Sequence, residues 1–127
     1  MTRQAISTTG APAAIGPYSQ GIGSADLVFC SGQLGLDPAS GEMAAGVEAQ
    51  AERALRNLAA VLDAAGCSWG DVVKTTIYLA DIGDFGAVNG VYAKVMPDPP
   101  PARSTFAVGA LPKGGLVEID AIARRRG

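Results

Sequence analysis

Between Val47 and Ala65 the apolar positions Val47, Ala51, Ala54, Leu55, Leu58, Val61 and Leu62 recur at three and four residues, which lines one side of an α-helix. Gly66 follows directly and predicts the C-terminal cap, because the backbone just past a helix end favours the left-handed region. From Asp84 to Val95 the same spacing places Phe85, Val88, Val91, Tyr92 and Val95 on one side of a second helix, capped by Asp84 or Asp81. The tract PDPPP ends it, since proline lacks the amide donor and clashes with the preceding turn.

Other segments read as strands. Arg3 to Ser7 predicts a short one, followed by the loop TTGAPAAIGP. YSQGIGS and LVFCSGQLG form two more, turning near Ala25 and Asp26. VVKTTIYL is dense in β-branched residues and apolar on both parities, as in an interior strand covered on both sides. Arg103 to Val108 and Leu116 to Ala123 close the chain, joined by ALPKGG. The order predicts an α+β fold, a mixed sheet with two helices on one face. Neither linker nor repeat divides the sequence, so one domain over residues 1–127 is expected. Two helices cover only one side of such a sheet, and the other, also apolar, should meet a further copy of the chain.

Composition narrows the chemistry. The formal charge is -2, so the broad positive field that phosphate backbones require is missing, and nucleic acid is a poor partner. The start MTRQAISTTG has no secretory pattern, and no run of eighteen apolar residues suggests a membrane span. Cys30 and Cys67 form no C-x-x-C pair and read as small buried residues in a reducing cytoplasm. There is no histidine, which removes Ser-His and Cys-His nucleophiles and the usual zinc ligands. GIGSAD carries two of the three dinucleotide-loop glycines and PKGGL lacks phosphate-loop spacing, so neither cofactor nor metal is expected.

Some polar residues stand where a core would not choose them. Alternation along the last strand turns Val117, Ile119, Ala121 and Ala123 one way, and Glu118 and Asp120 the other, with Leu116 and Ile122. A carboxylate on a face that packs against a neighbour loses solvation, which raises its pKa; an interfacial ion pair or a solvated edge would accommodate Glu118 equally. Arg103 enters a strand after the proline tract, where its fork could face a cleft and match a carboxylate, or pair with a surface acid. Ser31 and Gly32 suit a ligand approach or a turn. Tyr18 and Asn89 could turn polar tips toward a pocket, and Arg124, Arg125 and Arg126 form a basic tip.

Together these segments resemble the RidA (YjgF-type) family over nearly the whole chain, from AIGPYSQ through LVFCSGQLGLDPASGE and DVVKTTIYLADIGDFGAVNGVYAKV to the C-terminal PARSTFAVGALPKGGLVEI. The resemblance implies a chorismate-mutase-like fold and a homotrimer with pockets between subunits. It also implies hydrolysis of reactive 2-imino acids, or their enamine tautomers, to 2-keto acids and ammonia. Such imines are released by pyridoxal-phosphate enzymes, and the family holds no cofactor itself. Carried over by position, Arg103 grips the substrate carboxylate and Glu118 positions the attacking water. Tyr18, Ser31, Gly32 and Asn89 line the pocket. Thr105 departs from the cysteine frequent in the family, keeping the backbone amide that faces the substrate while losing the thiol. Two rival readings are a non-catalytic keto-acid binder that signals through a partner, and a ribonuclease or translation inhibitor, the latter disfavoured by the acidic balance and the missing histidine.

Overall fold

A computed structural model describes residues 2–126. Its elements follow the order β1 (Arg3–Ile6), β2 (Gly21–Ser24), β3 (Leu27–Leu34), α1 (Val47–Ala64), β4 (Val72–Leu79), α2 (Phe85–Ala93), β5 (Ala102–Ala107) and β6 (Val117–Arg124). The six strands make one sheet in the order β1-β2-β3-β6-β4-β5. Every pairing is antiparallel except β4 with β5, whose parallel connection needs the α2 crossover.

Both helices lie on one face. α1 packs on β3 and β6 and against α2, and its Leu55, Leu58, Val61 and Leu62 are almost wholly buried. They meet Val28, Ile77, Leu79, Val117 and Ile119 from the sheet, all buried in the same cluster. Each large side chain fully removed from water stabilises the fold by about 1.5–3 kcal/mol before conformational entropy is subtracted. α1 ends as its sequence predicts: Gly66 has φ +78°, its N–H donates to the Asp63 carbonyl, and the Cys67 N–H reaches back to Leu62.

Most strand ends fall within one residue of the sequence reading, and three points call for comment. β2 begins at Gly21 rather than Tyr18, because the Tyr18 N–H turns back to the Gly16 carbonyl and leaves the ladder. α2 stops at Ala93, where Val95 and Met96 both send their N–H to Tyr92 as the chain tightens before the prolines. Of the two candidate caps, Asp81 accepts the Gly83 N–H at 2.8 Å, ahead of a tight turn at Ile82–Asp84 that leads into α2, whereas Asp84 makes no capping bond.

The opposite face of the sheet is open. Phe29 and Phe106 are both more than two-fifths exposed there, and Phe106 meets Tyr78 edge-on at 5.3 Å between ring centres. No helix among the described residues is long and apolar enough to cross a membrane.

Candidate active site

The alternation expected for the last strand holds in β6. Val117, Ile119, Ala121 and Ala123 are buried beneath the helices, which turns Glu118, Asp120 and Ile122 to the open face. Glu118 sits between two neighbours in register, Leu34 of β3 and Tyr78 of β4. β3 is irregular here. Between the pairs Cys30↔Ala121 and Gln33↔Ile119, Ser31 and Gly32 stand opposite Asp120 alone, a bulge that re-aims the strand. A side chain at position 32 would run into the Glu118 carboxylate and displace it, so glycine is what lets the carboxylate lie against β3.

Around this point lies a cleft of about 720 Å³ that includes Tyr18, Ser31, Gly32, Lys113 and Glu118. Loops reach it by specific bonds. The Ser31 hydroxyl donates to the Ser19 carbonyl at 2.6 Å, and the Ser31 N–H donates to Gln20, so the bulge fixes the segment carrying Tyr18. The buried Gln20 side chain accepts the Thr8 N–H at 2.7 Å and donates to Ala11 and Pro12, which shapes the preceding loop. The Tyr18 ring is half exposed, its hydroxyl accepting the Ile15 N–H at 3.4 Å.

Burial raises the pKa of Glu118, and the nearby Asp120 charge adds to the effect. Asp120 itself accepts a hydrogen bond from the Tyr78 hydroxyl at 2.8 Å. Among the described residues Glu118 has no salt bridge, so an ion pair within the chain does not account for it.

Arg103 is placed elsewhere. It pairs with Thr75 in parallel register, and Thr75 is buried on the helix side, where its hydroxyl shares a 2.6 Å hydrogen bond with Tyr92 of α2. The guanidinium therefore leans over α2, 4.9 Å from the Tyr92 ring centre and 5.5 Å from that of Phe85. Its Nη1 donates to Asn89 Oδ1 at 2.7 Å. Neutral partners hold the fork in place without cancelling its charge, and no acid pairs with it among the described residues. A second cleft, of about 500 Å³, opens beside it between α2 and the proline tract. Thr105 lies on the same side, in register with Ile77, and its hydroxyl is buried without a partner.

The seven predicted residues thus separate into two groups within one chain. Tyr18, Ser31, Gly32 and Glu118 share the open-face cleft. Asn89 and Arg103 share the edge cleft, with Thr105 on the same side of the strand. Register places Arg103 level with Ala121 through Thr75, on the face opposite Glu118, so the two do not converge within a protomer.

The basic tip is largely engaged. Arg124 pairs with Asp26 at 2.9 Å, Arg126 with Asp71 at 2.7 Å, and Arg125 donates to the Ala65 carbonyl. Sequence reasoning missed Asp120 and Tyr78 as neighbours of Glu118, and Lys113 in the same cleft. Only the period-two alternation of β6 hinted at Asp120.

A small α+β protein with helices on one sheet face, a recessed carboxylate on the other and an unneutralised arginine at the edge forms a recognisable class. The family model described as endoribonuclease L-PSP matches residues 8–125. A mouse protein named 2-iminobutanoate/2-iminopropanoate deaminase is 52% identical over 122 residues, 95% of this chain and 90% of its own length. Among solved structures, RidA from the Antarctic bacterium Psychrobacter sp. is 46% identical with a TM-score of 0.93, covering 95% of this chain and 98% of that one. TdcF of E. coli, solved with bound serine, is 42% identical with a TM-score of 0.92, covering 97% and 99%. The chain belongs to this family, the RidA family that its motifs resemble.

Proposed function

We propose that the protein is a homotrimeric, cytoplasmic deaminase that hydrolyses 2-imino acids, or their enamine tautomers, to 2-keto acids and ammonia, with each site shared by two protomers. The observation that carries this reading is the partition of the site residues into two incomplete halves. Among the described residues one half is lined by Glu118 and Asp37 with Lys113 as its cation, while the other is lined by the fork-shaped Arg103 and no acid. The names of relatives about half identical in sequence supply the reaction.

In this mechanism Arg103 of one protomer takes the substrate carboxylate through two parallel hydrogen bonds, its plane held by Asn89 and the two rings. The reactive carbon then faces Glu118 of the neighbour. The ionised carboxylate takes a proton from water as the water oxygen bonds to the carbon of the protonated imine, giving a neutral carbinolamine. Glu118 returns the proton to the nitrogen, the C–N bond breaks with release of ammonia, and the hydroxyl becomes the keto oxygen by passing its proton back to the Glu118 carboxylate. A raised pKa suits a group that must both accept and return a proton near neutrality. Imine carbons are electrophilic in water already, so orientation and proton transfer worth about 10²- to 10⁴-fold are sufficient.

The test is complementation. Arg103→Ala and Glu118→Gln chains are each inactive alone, but unfolded together in equal amounts and refolded they should recover about a quarter of wild-type turnover, because that share of randomly formed interfaces joins two intact halves. Activity is followed by generating the imine in place with an amino-acid oxidase and trapping the remainder with semicarbazide. No recovery in a mixed trimer would place the whole site within one chain. The endoribonuclease description of the family model motivates one control: RNA cleavage that persists in repurified Arg103→Ala protein would revive that reading.

A further inference from the structure

The buried face of α1 carries two side chains that its apolar stripe does not explain. Gln50 is 4% exposed and Asn57 fully buried. They stand seven residues apart, two helical turns, and therefore on the same side. Gln50 bridges two loops. Its Nε2 donates to the Ala44 carbonyl at 3.0 Å, and its Oε1 accepts the Leu116 N–H at 2.8 Å, two residues before Glu118. Asn57 Nδ2 donates to the carbonyls of both Leu34 and Leu36, at 3.1 and 2.9 Å. Leu34 is the β3 residue in register with Glu118.

These bonds tie down the end of β3, one of the two strands beside Glu118, and the segment that leads into its own strand, β6. The helix also sits unusually close: a side chain at Gly35, between the two leucines, would come within 2.5 Å of the Gln50 Cα. The seat is thus backbone against backbone, and the two amides set how far the β3 end and the start of β6 stand from the helix. The register of these two segments decides whether Glu118 packs on Gly32. Asn57 Oδ1 makes no hydrogen bond to the described protein atoms, so both bonds of this side chain run through its amide nitrogen.

We propose that Gln50 and Asn57 are positioning residues for Glu118: together they clamp the two strand ends whose spacing holds the carboxylate against the β3 bulge. This rests on the reading of Glu118 as the water-activating group. A purely structural role makes a different prediction, since four satisfied backbone groups would then contribute only to stability.

The experiment compares Gln50→Met and Asn57→Leu, which keep volume but lose the bonds, with Leu62→Ala, a core truncation further along α1. Thermal melting and trimer content are measured for all three, and kcat and KM are taken at a temperature where each is folded. Clamp variants should lose about tenfold or more in kcat with KM nearly unchanged, because the arginine half is untouched, while Leu62→Ala loses stability and keeps kcat. Gln50→Glu, which keeps the acceptor for Leu116, should recover part of the loss. A second readout needs no turnover: the ionisation midpoint of Glu118, followed by carbon NMR of the carboxyl group, should move down toward that of an ordinary glutamate as the clamp loosens and water enters. Unchanged kcat together with an unchanged midpoint in both clamp variants would overturn the proposal. Should wild-type protein show no imine turnover, the deaminase reading fails, and the midpoint still tests the clamp.

Discussion

The two halves of the site are built in opposite ways. The carboxylate half is made by the inner strands: Glu118 stands on β6 between β3 and β4, a glycine clears its space, and buried amides fix the loops around it. The arginine half is made at the sheet edge, where β5 has one neighbour and Arg103 is held by an amide and two rings rather than by a core. A group that must be partly desolvated needs the interior, because close packing excludes water and so raises a carboxyl pKa, here together with the Asp120 charge. A cation that must receive an anion needs the opposite, a place where its charge stays unpaired and its stem rests on aromatic surface.

Substitutions that exploit this contrast rank in a definite order. Glu118→Gln should be the most damaging to turnover, by about 10²- to 10⁴-fold, with 2-keto acid binding retained in calorimetry. Its stability should move the other way. A carboxyl whose pKa is raised on folding favours the folded state at low pH, and that contribution is lost as pH rises through the folded value. At neutral pH the Gln variant should therefore melt at or above the wild-type temperature, and below the usual glutamate pKa this advantage should disappear. A lower Tm at neutral pH would contradict the desolvated setting of Glu118.

Arg103→Ala comes next, at about a hundredfold or more in kcat/KM, with keto-acid binding weakened in parallel, since charge-assisted bonds are worth about 1.5–3 kcal/mol each. Arg103→Lys should recover little, as a point charge cannot reproduce the fork. Gly32→Ala should lower kcat by about ten- to a hundredfold, because the new methyl displaces the carboxylate by a fraction of its own diameter while the arginine half and KM stay as they are. The smallest effect belongs to Phe85→Leu. Removing one ring from beneath the guanidinium costs about 0.5–1 kcal/mol, a two- to fivefold rise in KM with kcat preserved. A larger fall in kcat there would mean that Phe85 reaches further into the site than the edge cleft.

Much of this was legible before any coordinates. The spacing from Val47 to Leu62 and the following Gly66 marked α1 almost to the residue, because a long amphipathic period and a glycine cap are local signals. Glu118 stood out through period-two alternation, and Arg103 through its place after the prolines. Tyr18 was assigned to a strand and lies in a turn, since its N–H closes on Gly16, a choice that flanking Gly and Pro permit without dictating. Gln50 and Asn57 passed unnoticed because a polar residue in a helix reads as solvent-facing until its partners are known.

By itself, then, the sequence determined the elements, the alternation of faces along β6 and the family, all of which depend on neighbours a few positions away or on motifs in order. Tertiary structure alone decided that Arg103 and Glu118 lie on opposite faces of one sheet, and that Gly32 and two buried amides frame the carboxylate. Those relations join residues from 15 to 86 positions apart, set by strand order and packing, and no local pattern along a chain encodes such distances.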